Sequence, residues 1–152
     1  LEDPMLSEEE RQEKAKRYAA RFQRVRDAHQ TELAEDYVEL IAKLIEETGE
    51  ARVVDLADWL GVSKATVNNT IQRLQRDGLV TTRPYRSIFL TDEGRDMAQH
   101  ASERHQVVRD FLIVLGVDPH TADADAEGIE HHVSQATLDI FRAYLKSHDG
   151  GK

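Results

Sequence analysis

The sequence predicts a mainly α protein, built as a winged helix-turn-helix DNA-binding domain followed by an all-helical dimerisation domain. Three observations carry this. Apolar residues recur at helical spacing through most of the 152 residues. Two short stretches at 79–82 and 87–91 read instead as a hairpin. The charge is unevenly spread, with one basic block inside an acidic chain.

The elements follow in order. Ser7, with Glu8, Glu9 and Glu10 behind it, opens a charged helix over 7–30, acid being favourable at a helix N-terminus. Its sparse apolar stripe is Tyr18, Ala19, Phe22 and Val25, which suits packing across a dimer or onto the next helix. The alternatives are a solvated arm and a basic hook that follows DNA. A firmer helix runs over 33–48, where Leu33, Tyr37, Leu40, Ile41, Leu44 and Ile45 share one side, and Gly49 ends it. A further helix spans about 53–60. Gly61 suits a left-handed cap there, and Ser63 suits the N-cap of the helix reaching Asp77. Two helices joined by a short Gly-containing turn make a helix-turn-helix. The hairpin is its wing, with Arg83, Pro84, Tyr85 and Arg86 at the tip. Thr91 caps a long helix over about 92–115, and two more follow at roughly 120–131 and 134–147. The expected division is an extension over 1–32, the winged helix over 33–91, and a helical metal-binding and dimerisation domain over 92–152. About sixty residues bury too little surface to stand well alone, so a second copy is expected to complete that core.

Charge and composition narrow the partners. A net charge of −9 by itself disfavours nucleic acid, but residues 62–91 carry five basic groups and one acid. The flanking segments 33–61 and 92–152 are each −6. Ser63, Lys64, Thr66, Asn68, Asn69 and Arg73 on the second helix of the motif suit base edges and phosphates. Arg83, Tyr85 and Arg86 on the wing suit the backbone. The absence of cysteine removes disulfides and thiolate chemistry. The longest apolar run, Phe111–Val117, is far short of a membrane span, and the N-terminal stretch lacks an export pattern. A cytoplasmic protein without a membrane partner is expected.

Acids and histidines form a second constellation. Asp36 and Glu39 share a helix face, as do Glu127, Glu130 and His131 at i, i+3 and i+4, while His105 lies in the long helix. Each group alone is more often a solvated face or a structural histidine. Together, two carboxylates and an imidazole aimed at one point, without sulfur, suit Mn²⁺ or Fe²⁺.

Four segments resemble a known family. They are EDYVELIAKLIEETGEARVV at Glu35–Val54, RH at Arg104–His105, FLIVLGV at Phe111–Val117 and DAEGIEHHVS at Asp125–Ser134. The likeness is to the manganese transport regulators of the diphtheria-toxin-repressor family and covers about residues 33–146. It implies a homodimer that binds double-stranded operator DNA, with one or two ions per subunit held between the domains. The implied ligands are Asp36, Glu39, His105, Glu127, Glu130 and His131, and the implied ion is Mn²⁺, with Fe²⁺ second. Iron-selective relatives use sulfur where two of these carboxylates stand. The larger members add a third, SH3-like domain for which this sequence has no room. The implied function is metal-activated repression of manganese uptake genes, with no catalysis and no small organic substrate. A ferritin-like di-metal enzyme would need Glu-x-x-His motifs, and no histidine here has a Glu three residues before it. The remaining alternative is a winged-helix regulator that senses a non-metal ligand.

Overall fold

The computed structural model describes residues 5–83 and 87–149. Among them, six helices and one hairpin run in the order α1 (Glu8–Thr48), α2 (Val53–Leu60), α3 (Lys64–Arg76), β1 (Val80–Thr82), β2 (Ile88–Leu90), α4 (Asp92–Val114), α5 (Pro119–Ile129) and α6 (Gln135–Asp149). The winged helix-turn-helix and the helical domain are both present, as the hydrophobic pattern predicts.

α1 departs from expectation. The two helices anticipated over 7–30 and 33–48 are one helix of 41 residues, about 60 Å long. Neither Gly nor Pro interrupts residues 8–48, and Thr31, the one weak helix former near the expected break, returns its hydroxyl to the Asp27 carbonyl at 3.1 Å. Ser7 and Glu10 close a reciprocal capping box at the start. Gly49, at φ +86°, ends the helix in the left-handed region. Residues 8–31 are exposed except for half-buried Ala28, so the stripe of Tyr18, Phe22 and Val25 does not fold back on the helix that follows. The second half buries Tyr37, Val38, Ile41 and Leu44.

Those residues join Leu56, Val67, Ile71, Leu74, Val80, Ile88 and Leu90 in the winged-helix core. Ser63 caps α3 by accepting from the Thr66 amide at 3.1 Å. The hairpin is antiparallel, with Val80 opposite Leu90 and Thr82 opposite Ile88. Ile88 also donates its amide to the Ala51 carbonyl at 2.8 Å, which ties the wing to the turn after α1.

α4 joins the two cores. Thr91 caps it, accepting from the Gly94 amide at 3.0 Å and donating to the Gly78 carbonyl at 2.7 Å. Ala98 belongs to the winged-helix core and Val108 to a smaller second cluster with Ala126 and Leu138. Phe111 stacks on Phe141 there, ring centroids 3.9 Å apart. α5 stops two residues earlier than the spacing suggests. Glu130 is its C-cap, and His131 stands in the tight turn before Ser134 opens α6. No helix among the described residues is long and apolar enough to cross a membrane.

Candidate metal centre and nucleic-acid interface

Three elements bring the acids and imidazoles together: the middle of α1, the middle of α4, and the end of α5 with its turn. Glu127, Glu130 and His131 do not address one point, because His131 has left the helix that carries Glu127. Two adjoining groups result. His105, Glu127 and Glu130 form one, and Glu32, Asp36 and His131 form the other, with ligand-type atoms within 4.8 Å of one another in each. His105 Nδ1 lies 3.4 Å from Glu127 Oε1 and 3.9 Å from Glu130 Oε1. His131 Nε2 lies 3.1 Å from Asp36 Oδ1 and 3.6 Å from Glu130 Oε1, so Glu130 and His131 bridge the groups. Glu39 lines the groove between α1 and α4 with Asp36, His105 and Glu127.

The electrostatics follow from burial and crowding. Burial, then the charges of Glu127 and Asp36, pushes Glu39 up to about 7. Burial and the neighbouring Glu39 do the same to Glu130, also to about 7. For His131, burial opposes the charged ring. Hydrogen bonds to Asp36 and Glu35, with the charges of Asp36 and Glu130, outweigh it and raise the ring to about 10. A protonated His131 thus stands in the carboxylate cluster where a cation is wanted.

The residues fit a divalent ion. Glu130 is 1% exposed, yet both its carboxylate oxygens, and the Nδ1 of His105, are buried without a hydrogen-bond partner among the described residues. Buried polar atoms are rarely left so, and a missing ion is one of the few explanations. Oxygen-rich donors with imidazole, and no sulfur, match a hard or borderline cation.

Three residues of this neighbourhood do not stand out in the sequence, the first being Asp123, which meets His105 Nε2 at 2.9 Å. Glu32 stands one turn before Asp36 on the same face, a spacing that could have found it. Glu35 is buried, accepts from His131 Nδ1 at 2.7 Å and pairs with Arg104 at 2.7 Å. It orients the imidazole so that Nε2 faces the cluster. No local pattern announces a contact between chain positions so far apart.

The DNA-type residues lie mostly on α3, outside the acid and histidine groups. Lys64, Thr66, Asn68 and Asn69 are exposed on α3, Arg73 is half-buried, and Val67, Ile71 and Leu74 occupy the opposite face. Ser63 is engaged as the cap, and its hydroxyl shares a 3.0 Å hydrogen bond with Thr66. Arg83 is exposed at the end of the first wing strand, while Tyr85 and Arg86 lie outside the described residues.

Fold and site together define a two-domain winged-helix protein with a carboxylate and histidine centre where its domains meet. Comparison with known proteins agrees. The family described as "Iron dependent repressor, N-terminal DNA binding domain" matches residues 29–88. Its companion, "Iron dependent repressor, metal binding and dimerisation domain", matches 91–149. The chain is 55% identical over 127 residues to the transcriptional regulator MntR of Escherichia coli O6:H1, covering 84% of this chain and 82% of that protein. It is 43% identical over 105 residues to the HTH-type transcriptional regulator MntR of Listeria monocytogenes serotype 4a, covering 69% and 74%. A solved manganese-dependent transcriptional repressor in complex with manganese superposes with a TM-score of 0.67 at 31% identity, over 74% of this chain. This chain spans 52% of that structure's length. The chain belongs to the manganese transport regulator branch of the diphtheria-toxin-repressor family of metal-dependent transcriptional regulators.

Proposed function

We propose that this protein is a manganese-responsive transcriptional repressor that binds operator DNA as a homodimer and lowers expression of manganese uptake genes. The observation that carries the reading is Glu130, a buried carboxylate without a hydrogen-bond partner among the described residues, set between His105 and His131 where the domains join. The proposed ligands are Asp36, Glu39, His105, Glu127, Glu130 and His131, holding one or two ions per subunit. A bound Mn²⁺ supplies positive charge that turns repulsion among these carboxylates into attraction across the domain boundary. Asp36 and Glu39 lie on the helix that forms the winged-helix floor; Glu127 and Glu130 lie on the dimerisation domain. Holding the two sets together fixes where each α3 stands in a two-fold dimer, and so matches half-sites about one helical turn apart or a multiple of it. Residues 33–91 act as the reader and 92–152 as the sensor and dimerisation unit, with 1–32 as an extension.

In this reading Ser63, Lys64, Thr66, Asn68, Asn69, Arg73, Arg83, Tyr85 and Arg86 form the DNA surface, and the protein acts in the cytoplasm as a regulator with no small organic substrate. The test is operator binding by chelator-stripped protein with and without Mn²⁺. Mn²⁺ is expected to tighten operator binding strongly and non-specific binding little. Equal operator affinity in its absence would remove the metal from the mechanism. Asn69→Ala is expected to relax base preference at a cost of about 1–3 kcal/mol. Arg73→Ala is expected to flatten the salt dependence by about one unit. If neither substitution alters binding, α3 is not the reader.

A further inference from the structure

The same face of α1 carries more donors than the proposed centre uses. His29 and Glu32 stand three residues apart, one turn ahead of Asp36, a spacing that lets two side chains grasp one ion. Across from them, His132 projects from the turn after α5. Its Nε2 lies 3.3 Å from Glu32 Oε2. Its ring centroid lies 6.3 Å from that of His29, with the planes 71° apart. A zinc–nitrogen bond of about 2.0–2.1 Å places each ring centre about 3 Å from the ion, so two rings sharing an ion are about 5–6 Å apart. The two rings stand edge to face, so binding an ion requires the His29 and His132 side chains to close on Glu32. The His29 and His132 side chains are at the surface, so an ion can reach them directly.

We infer that His29, Glu32 and His132 form an outer divalent-cation site of the zinc class beside the inner centre, with Glu32 standing between the two. Two imidazoles and one carboxylate, with a fourth position left to water, are a common zinc donor set. The inner centre is richer in oxygen and suits a harder ion; the outer set is richer in nitrogen and favours Zn²⁺ over Mn²⁺. Filling it ties α1 to the turn that carries Glu130 and His131. The α1–α5 junction therefore responds to zinc as well as to the ion of the inner centre. His29 and His132 lie outside the proposed inner ligand set, so the two imidazoles can be removed without touching it, while Glu32 adjoins Asp36 and His131.

The experiment counts ions on the full chain. Chelator-stripped protein is dialysed against excess Zn²⁺, freed of unbound metal and assayed for zinc per chain. The His29→Ala/His132→Ala variant is expected to hold about one ion fewer per chain than the unmodified protein. The Glu130→Ala variant is expected to lose ions from the inner centre and keep that one. A pair of His→Asn replacements should reproduce the loss, and far-ultraviolet circular dichroism verifies that each variant is folded. Equal zinc content in the unmodified protein and the double variant overturns the outer site. A Glu130→Ala variant that loses nothing overturns the inner assignment and leaves the outer site standing.

Discussion

Glu130 and its neighbours set the chemistry residue by residue. A buried carboxylate with no hydrogen-bond partner destabilises the metal-free protein and is relieved by an ion. Glu130→Gln at pH 8, where the carboxyl is mostly ionised, should therefore raise metal-free stability by about 1–3 kcal/mol. It should also lower Mn²⁺ affinity by about a hundredfold or more, since even residues that only support ligands cost 10–100-fold. Calorimetry with and without Mn²⁺ reads both effects, and unchanged Mn²⁺ affinity would rule Glu130 out as a ligand. The pH dependence has a definite sign. Glu39 and Glu130 rise from 4.5 to about 7, so the folded state prefers them protonated and loses stability as pH climbs through that window. His131 rises from 6.5 to about 10, so its contribution is full below 6.5 and is lost as pH rises through 10. All three act in one direction, and the metal-free protein should weaken steadily from pH 5 to 10 in urea titrations. In the proposed ligation, Mn²⁺ binding displaces the same protons. The slope of log affinity against pH should be about three near pH 6 and about one near pH 8. A flat profile would mean that these groups do not hold the ion.

At the scale of elements, α4 and α1 carry the connections. Gly94 lies in the first turn of α4, where sequence alone makes it a weak helix former. A Cβ there would collide with the Leu79 carbonyl oxygen and meet Leu90 Cδ2 at 3.3 Å. The glycine lets the helix start press against the wing backbone, next to the hydrogen bond from Thr91 to Gly78. Gly94→Ala should cost about 3 kcal/mol or more, an overpacking effect against unyielding backbone. It should lower the urea midpoint without changing the slope. A neutral substitution would mean that this junction is loose. α1 shows how one feature was legible and another was not. Its start at Ser7 and its end at Gly49 are local chemistry, read directly from a capping box and a left-handed glycine. Its continuity through Thr31 is not legible locally, because a change from solvated to buried composition looks like a boundary although it breaks no backbone hydrogen bond.

For the whole molecule, the helical domain stands out for its small core. Its buried cluster consists of Val108, Ala126 and Leu138, and the other fully buried apolar side chains described there, Ala101 and Ala122, are small, while Leu115, Ile129 and Ile140 remain exposed. So small a core leaves apolar surface that a second copy can cover. The exposed stripe of Tyr18, Phe22 and Val25 belongs to the same question. By helical geometry it runs along the face that also bears His29, Glu32 and Asp36, toward the helical domain. Deleting residues 1–30 should weaken dimerisation in analytical ultracentrifugation without DNA. An intact dimer with weaker, less salt-sensitive operator binding would instead identify the arm as a hook on the phosphate backbone.

The helices after Gly49, the wing and the caps are properties of neighbouring residues, and the sequence alone determined them. Hydrophobic period, Ser and Thr caps and glycine stops act over one or two turns, so no distant contact is needed to read them. Six ligand-type residues were also visible by type and family resemblance. Their division into two adjoining groups was not. It depends on α5 ending at Ile129, which frees His131 to face α1, and on Glu35 and Arg104 meeting across the domain boundary to orient it. The burial that raises Glu39 and Glu130, and the carbonyl that forbids a side chain at Gly94, likewise arise from segments far apart in the chain. These features come from packing one element on another, and a one-dimensional pattern carries no record of that packing.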